Sequence, residues 1–236
     1  MQAFLRGTAA ALALTLCGCA HTPADDPADP LESMNRAVFA FNMKADQYVA
    51  RPVAKGYVKV VPDFARTGIN NFFNNLKYPT VIINDALQAK FLQGGEDLCR
   101  FVVNSTVGVA GLLDPGTRIG LERHDEDFGQ TLGKWGLGQG WYLMLPLLGP
   151  SSNRDLVGRA GDYATSVTTW VNTSTGETIA IDGVDIIDTR AQLLSADSIL
   201  DQQFDKYIFV RTAYLQHRQA LVYDGHPPKE DYDIGE

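Results

Sequence analysis

Pro62-Asp63-Phe64-Ala65-Arg66-Thr67-Gly68-Ile69-Asn70-Asn71-Phe72-Phe73-Asn74-Asn75-Leu76-Lys77-Tyr78-Pro79 is the stretch that decides the fold class. Pro62 and Asp63 open a helix. Phe64, Ile69, Phe72, Phe73 and Leu76 recur on one side of it, and Asn70, Asn71, Asn74 and Asn75 share the other. Tyr78-Pro79 is expected to break it, because proline has no N–H to donate and crowds the turn before it. For one such helix taken alone, ordinary packing turns the apolar side to the core and the Asn side to water.

The same grammar repeats in both directions. Asp29-Pro30-Leu31-Glu32 reads as a helix start, with Asp29 as N-cap, Pro30 at N1 and Glu32 closing a capping box. Leu31, Met34, Ala37, Val38, Phe41, Ala45 and Tyr48 mark its face, and Arg51-Pro52 is expected to end it. Downstream, Ile82, Ile83, Ala86, Leu87 and Phe91 mark a further helix, and Leu98, Phe101, Val102 and Ser105 another. Ser151 or Ser152 can cap a helix carrying Leu156, Val157, Ala160, Tyr163, Val167 and Trp170. Residues 172–176 read as a loop, Ala180 to Leu194 as a helix, and Asp205 to Val222 as the last long one. No alternating segment of useful length competes, so the expected class is mainly α.

Composition fits one globular domain: 236 residues, 45% apolar and 20% charged. The formal charge of −8 leaves no basic footprint for nucleic acid. Three cysteines, two of them at positions 17 and 19, cannot supply an all-cysteine zinc site. Arg6 is followed by the uncharged stretch Gly7 to Leu16, too short for a bilayer span of roughly 20 residues but of signal-peptide length. Leu16-Cys17-Gly18-Cys19 then resembles the lipobox of bacterial lipoproteins. Cys19 fits the modified position; Cys17, preceded by bulky Leu16, does not. Residues 1–18 are therefore expected to be a lipoprotein signal peptide, with Cys19 the lipid anchor bearing an S-diacylglycerol and an N-acyl chain such as palmitate. Two or more chains suffice for stable anchoring. Ala20, where Asp would resemble an inner-membrane retention signal, points to the outer membrane. Residues 19–28 read as a tether, 29–225 as one domain and 226–236 as a disordered tail. Cys99 reads as a small buried hydrophobe.

The middle of the chain is apolar and glycine-rich. Between Phe101 and Thr117 only Asp114 is charged, and between Phe128 and Pro150 only Lys134 is. Such segments belong either in a core or against lipid, where Trp135, Trp141 and Tyr142 would occupy interfacial positions. Irregular backbone at membrane depth is tolerated only where protein buries it or it lines a wet cavity.

Five motifs in order carry a family resemblance: Asp29-Pro30-Leu31-Glu32-Ser33-Met34-Asn35-Arg36 running to Phe41-Asn42; Asn104-Ser105-Thr106-Val107-Gly108; Glu126-Asp127-Phe128-Gly129-Gln130-Thr131-Leu132-Gly133; Leu145-Pro146 to Gly149-Pro150-Ser151; and Asp188-Thr189-Arg190-Ala191-Gln192-Leu193-Leu194. From Asp29 to Tyr223 the chain resembles the MlaA (VacJ) lipoproteins. It departs at Trp141, where the family usually has Pro, and at Asp114-Pro115-Gly116-Thr117. The resemblance implies a ring of amphipathic helices around a central channel, set in the inner leaflet of the outer membrane and facing the periplasm. It implies removal of misplaced phospholipids from the outer leaflet, to maintain lipid asymmetry. The implied partners are a trimeric porin, a periplasmic MlaC-like shuttle and, indirectly, an inner-membrane ABC transporter. By residue match it places Asn42 and Met43 where the first helix controls the channel, and Asn104, Gly108 and Gly111 on a channel-adjacent hairpin.

Two other classes stay open: a scaffolding envelope lipoprotein without a channel, and a lipoprotein enzyme. Gly149-Pro150-Ser151-Ser152-Asn153 misses the last glycine of a nucleophile elbow. Gly129 to Lys134 has the wrong spacing for a P-loop. His124-Asp125-Glu126-Asp127 reads as a solvated loop rather than a cation site. No catalytic residue, metal or further cofactor is expected.

Overall fold

A computed structural model describes residues 26–171 and 175–228. The expected signal peptide, Cys19, most of the tether, residues 172–174 of the expected loop and residues 229–236 of the expected tail lie outside the described residues.

The chain is mainly helical: α1 (Glu32–Ala45), a π-helical turn (Asp46–Ala50), α2 (Arg51–Val60), α3 (Asp63–Leu87), α4 (Phe91–Thr106), a short α5 (Pro115–Arg118) and α6 (Phe128–Lys134). A hairpin of β1 (Tyr142–Leu145) and β2 (Gly149–Ser152) follows. Then come α7 (Asn153–Thr165), α8 (Val167–Trp170), α9 (Thr175–Gln192), a 3-10 turn (Leu193–Ala196), α10 (Asp197–Asp201) and α11 (Lys206–Val222). Ser152 caps α7 by accepting from the Asp155 N–H at 3.1 Å, and Asp205 caps α11 from the N–H groups of Tyr207 and Ile208.

Three expected boundaries fall elsewhere, each because tertiary contacts outweigh a local signal. Asp29 does not cap α1, which begins at Glu32 after Leu31. Its carboxylate is instead fully buried, accepting from Asn35 Nδ2 (2.8 Å), Arg211 Nη1 (3.0 Å) and the Tyr207 hydroxyl. A buried carboxylate with three side-chain donors is better satisfied than one holding a single backbone N–H. Pro52 does not end the first helix. It sits in the first turn of α2, where its missing N–H costs nothing, after the π turn has already changed the hydrogen-bond register. Pro79 lies inside α3. That costs about 3 kcal/mol, and the helix survives it because Phe73, Tyr78, Val81 and Asn84 are buried on either side. The 172–176 loop is also shorter than expected, since α9 already begins at Thr175.

The hairpin was invisible to an alternation test. In β1 the inward residues are Tyr142 and Met144, but the outward ones, Leu143 and Leu145, are apolar too. β2 pairs with one edge of β1, Tyr142 opposite Ser152 and Leu145 opposite Gly149. Two asparagines on α1, two turns apart, satisfy the other edge. Asn35 donates to the Tyr142 carbonyl at 3.0 Å and accepts from the Met144 N–H at 2.8 Å. Asn42 does the same to the Leu145 carbonyl (2.9 Å) and the Leu147 N–H (2.8 Å). Each amide thus replaces the two bonds a third strand would have made.

Burial is inverted relative to a water-soluble domain. Among the described residues the buried apolar set is nine, from Ala54 to Val222, while eighteen polar or charged residues are buried. Thirty-five large apolar residues are exposed. The one compact apolar cluster, Tyr142, Met144 and Tyr207, sits where α1, β1 and α11 meet, and its rings pack edge to face at about 6 Å. Phe64 is 80% exposed, while Asn75, on the side expected to face water, is buried and bonded to Ser105 Oγ. On α7 Leu156 and Val157 look outward, and Arg154 and Asp155 look in. Cys99, expected inside, is exposed beside Leu98 and Val102 on α4. The ordinary single-helix expectation is therefore reversed across much of the molecule. Among the described residues no helix is long and apolar enough to cross a membrane.

Charge pairs make the polar interior affordable. Arg218 on α11 bridges Asp127 (2.5 and 2.9 Å) and Asp155 (2.9 and 3.0 Å), and Tyr214 also donates to Asp155 at 2.5 Å. Asp85 and Asp97 are different. Both are fully buried; Asp85 accepts from Gln93 Nε2 (2.8 Å) and Asp97 meets His124 Nδ1 (3.0 Å), but Asp85 Oδ2 and Asp97 Oδ1 have no donor. Burial, then the charge of Asp97, pushes the Asp85 carboxyl up to about 7. The folded chain therefore keeps a proton that the unfolded chain releases between about pH 4 and pH 7. Stability falls as pH rises through that window. Asp85→Asn keeps the acceptor for Gln93 and gives Asp97 a donor. Its thermal midpoint is expected to exceed wild type by about 3 °C or more at pH 8 and to match it at pH 5; an equal shift at both pH values would refute the protonated pair.

Candidate functional site

α3, the 125–127 segment, α7, α8 and α9 enclose a cavity of about 770 Å³. α3 contributes one stripe at helical spacing, Phe73, Leu76, Lys77, Thr80 and Val81, and α9 a second, Thr178, Ile181, Asp182 and Asp185. Trp170 and Tyr163 stand at α8 and the end of α7, and Asp125, Glu126, Asp127 and Asp162 complete a wall both greasy and acidic. The 125–127 segment is pinned from behind. Glu126 is bound by Lys90 (2.7 Å), Gln88 (2.8 Å) and Gln93 (2.9 Å), and Asp127 caps α6 while held by Arg218. Burial opposes the charge on Asp127, but the Arg218 hydrogen bonds keep its carboxyl below the usual range. Asp162 accepts from the Phe128 N–H at 2.8 Å and has no such guanidinium. Burial pushes it up to about 6, so it is ionised at neutral pH.

The channel candidates fall in two other places. Asn42 clamps the turn of the β hairpin, and Met43 follows it, its carbonyl accepting from the Asp46 N–H just before the π turn. Asn104, Gly108 and Gly111 are brought together by the loop after α4. The Asn104 side chain bonds Asp114 (3.0 Å) and the Gly116 N–H (2.9 Å), and its carbonyl accepts from the Gly111 N–H at 2.9 Å. Gly108 is enclosed by backbone: a Cβ there would lie 2.3 Å from the Asn104 carbonyl oxygen and 2.5 Å from that of Leu113. Gly111 is left-handed at φ +88, packed against Asn75, and follows two non-glycine residues that are left-handed as well, Val109 (φ +55) and Ala110 (φ +57). None of these five residues lines the cavity.

Of the interfacial candidates, Trp135 and Trp141 are more than half exposed. Tyr142 is not interfacial. It is fully buried at the centre of the apolar cluster, because strand β1 turns alternate side chains inward and Trp141 and Tyr142 therefore part company. Ser151, the serine of the enzyme alternative, is likewise fully buried in β2. His124, Glu126 and Asp127 are taken up by partners within the protein rather than lying in a solvated loop. The cavity acids Asp162, Asp182 and Asp185 were missed. The signal for Asp182 and Asp185 was their spacing of three on one helix beside apolar Ile181 and Val184; Asp162, on α7, carried none.

Residues 27–221 match the MlaA lipoprotein family model. The chain belongs to the MlaA lipoprotein family. MlaA relatives called intermembrane phospholipid transport system lipoproteins include those of Shigella flexneri and of Escherichia coli K12, each 39% identical over 94% of this chain and 90% of its own length. The Haemophilus influenzae relative of that name is 32% identical over 92% of this chain and 90% of its own. A solved structure from work on the structural basis for maintenance of bacterial outer membrane lipid asymmetry superposes with a TM-score of 0.75 at 36% identity, covering 82% of this chain and 98% of the other. MlaA membership thus rests on sequence and fold together.

Proposed function

We propose that this chain is the outer-membrane lipoprotein of an intermembrane phospholipid transport system, anchored through Cys19 and removing misplaced phospholipids from the outer leaflet. The observation that carries the reading is the inverted burial: exposed apolar side chains around a hydrogen-bonded polar interior suit a body lying in lipid rather than in water. With no helix fit to cross a bilayer among those described, the helices lie as a ring in the inner leaflet, with Trp135 and Trp141 at its interface. The ring surrounds the amphipathic cavity. A phospholipid headgroup crossing hydrocarbon unaided pays a large desolvation cost; acids and threonines in the wall reduce it, and Phe73, Leu76, Val81 and Ile181 accept the acyl chains. The step needs no covalent chemistry and no catalytic residue.

Asn42 with Met43, and the Asn104–Gly111 loop, control the cavity from outside by fixing the hairpin and the loop after α4. The partners of this role are a trimeric porin beside the ring, a periplasmic MlaC-like carrier that receives the lipid, and an inner-membrane ABC transporter that supplies the energy.

Deletion of the gene is expected to raise outer-leaflet phospholipid on intact cells several-fold, read with a membrane-impermeant amine-reactive label, and the wild-type gene to restore it. The Cys19→Ala protein is expected to remain detergent-dependent after purification. Unchanged surface phospholipid in the deletion strain would overturn the transport role, and a Cys19→Ala protein fully soluble without detergent would overturn the embedded ring.

A further inference from the structure

The charge in the cavity wall is one-sided. Among the described lining residues Lys77 is the one cation, against six carboxylates. Three of those are already matched: Glu126 by Lys90, Asp127 by Arg218, and Asp185 by Lys77 at 3.8 Å. Asp162 holds only a backbone N–H, and Asp125 and Asp182 enter no ion pair among the described residues. The side chain of Asp182 is exposed on the same stripe of α9 as Ile181. Trp170, 78% exposed, presents an indole anchored through its Nε1–H to the Ala164 carbonyl at 2.9 Å, in the same wall.

Unmatched carboxylates in a concave, partly apolar wall attract cations and repel anions, and the face of a Trp ring adds to the attraction for an ammonium. A phospholipid whose headgroup ends in an ammonium offers a positive charge beyond its phosphate; one ending in glycerol offers only the phosphate. We infer that this cavity selects amino-headgroup phospholipids, of the phosphatidylethanolamine class, over anionic ones, the ammonium lying among Asp125, Asp162 and Asp182. This rests on the transport reading and deepens it by naming the lipid class.

Full-length protein in detergent would be incubated with mixed micelles containing equal amounts of phosphatidylethanolamine and phosphatidylglycerol, separated by gel filtration, and its retained lipids quantified by mass spectrometry. Wild type is expected to retain the ethanolamine lipid at least threefold over the glycerol lipid. Asp162→Asn/Asp182→Asn is expected to retain the two near parity. Asp182→Asn alone, at an exposed position that folding does not depend on, is expected to fall between. Equal retention by wild type would overturn the selection, and an unchanged ratio in both variants would overturn its assignment to these carboxylates; either result leaves the transport reading intact. Retention of neither lipid by any form would overturn the transport reading itself. A parallel arm offers spermidine without lipid; tight spermidine binding together with equal retention of the two lipids would mark a site for free amines and overturn headgroup selection.

Discussion

Arg218→Met is expected to destabilise the folded protein by about 3–5 kcal/mol, the usual cost of removing one partner from a buried ion pair. Arg218 is 8% exposed and Asp155 7%, so the Asp155 carboxylate next to the missing guanidinium cannot be rescued by full hydration, whereas the half-buried Asp127 recovers part of its own. Three elements depend on this residue: α6 through its N-cap Asp127, α7 through Asp155 near its start, and α11 itself. Methionine fills much of the volume but donates nothing, leaving only Tyr214, the Gln130 N–H and nearby Arg154 to face one buried and one half-buried carboxylate. The pH dependence identifies the cause. In wild type, burial works against ionisation of both acids, yet Arg218 and the other donors hold them below the ordinary carboxylate range. Their contribution is therefore present above about pH 4 and is lost as pH falls through the lowered folded values. In the variant the same burial meets fewer opposing donors and both acids shift upward, so the deficit against wild type shrinks as pH drops towards 3. Denaturant unfolding of the purified protein at pH 7 and pH 3.5 measures both. Asp127→Asn/Arg154→Met/Asp155→Asn/Arg218→Met, with no charge of this cluster left to desolvate, recovers most of the loss. A loss under about 1 kcal/mol at pH 7 would mean the pair is far better hydrated than its burial implies.

That network also shows where sequence reading reaches its limit. Apolar residues at spacings of three and four located α1, α3, α4, α7 and α9, because helical period survives whichever way the helix faces. Period says nothing about direction. The assignment of an apolar side to the interior failed for Phe64, which is exposed as Leu156 is on α7, because the rule is built on water-soluble domains. The lipobox at Cys19 and the family motifs were the signals that pointed the other way. Breaks at Pro52 and Pro79 were misplaced for a different reason: proline imposes a fixed local cost, and packing on both sides of Pro79 exceeds it. The site was least legible. Asn42 and Asn104 were singled out by motif, and both are bonded to distant or looped backbone. The cavity acids come from α7, α9 and the segment before α6, so only folding brings them into one wall.

The backbone around Gly108 leaves no room for a side chain. Gly108→Ala is expected to lower stability by about 3 kcal/mol, from overpacking of about 1–3 kcal/mol and one or two loop hydrogen bonds at about 1 kcal/mol each. The added Cβ would strike the Asn104 carbonyl oxygen, the same atom that accepts the Gly111 N–H, and the Leu113 carbonyl from the other side. Both obstacles are backbone, so no rotamer change relieves them. The bond from Gly111, with those of Ala110 to Ser105 and Leu113 to Gly108, holds Val109, Ala110 and Gly111 in three successive left-handed conformations, of which the two non-glycine members cost about 1–2 kcal/mol each. Pushing the Asn104 carbonyl away releases that strain, and the 107–113 loop then relaxes away from Asn75 on α3. Two measurements separate this from a general loss of fold: thermal unfolding of the purified variant, and surface phospholipid in cells carrying it. A partly destabilised protein that leaves surface phospholipid at the level of the deletion strain is the expected result. Gly120→Ala is the control. Gly120 is left-handed at φ +87 but has nothing within 4 Å of the added carbon, so it carries strain of about 1–2 kcal/mol without a collision and should still clear surface lipid. A Gly108→Ala protein with the wild-type midpoint and full clearance would show that the 107–113 loop opens freely, and the locked-loop account would fail.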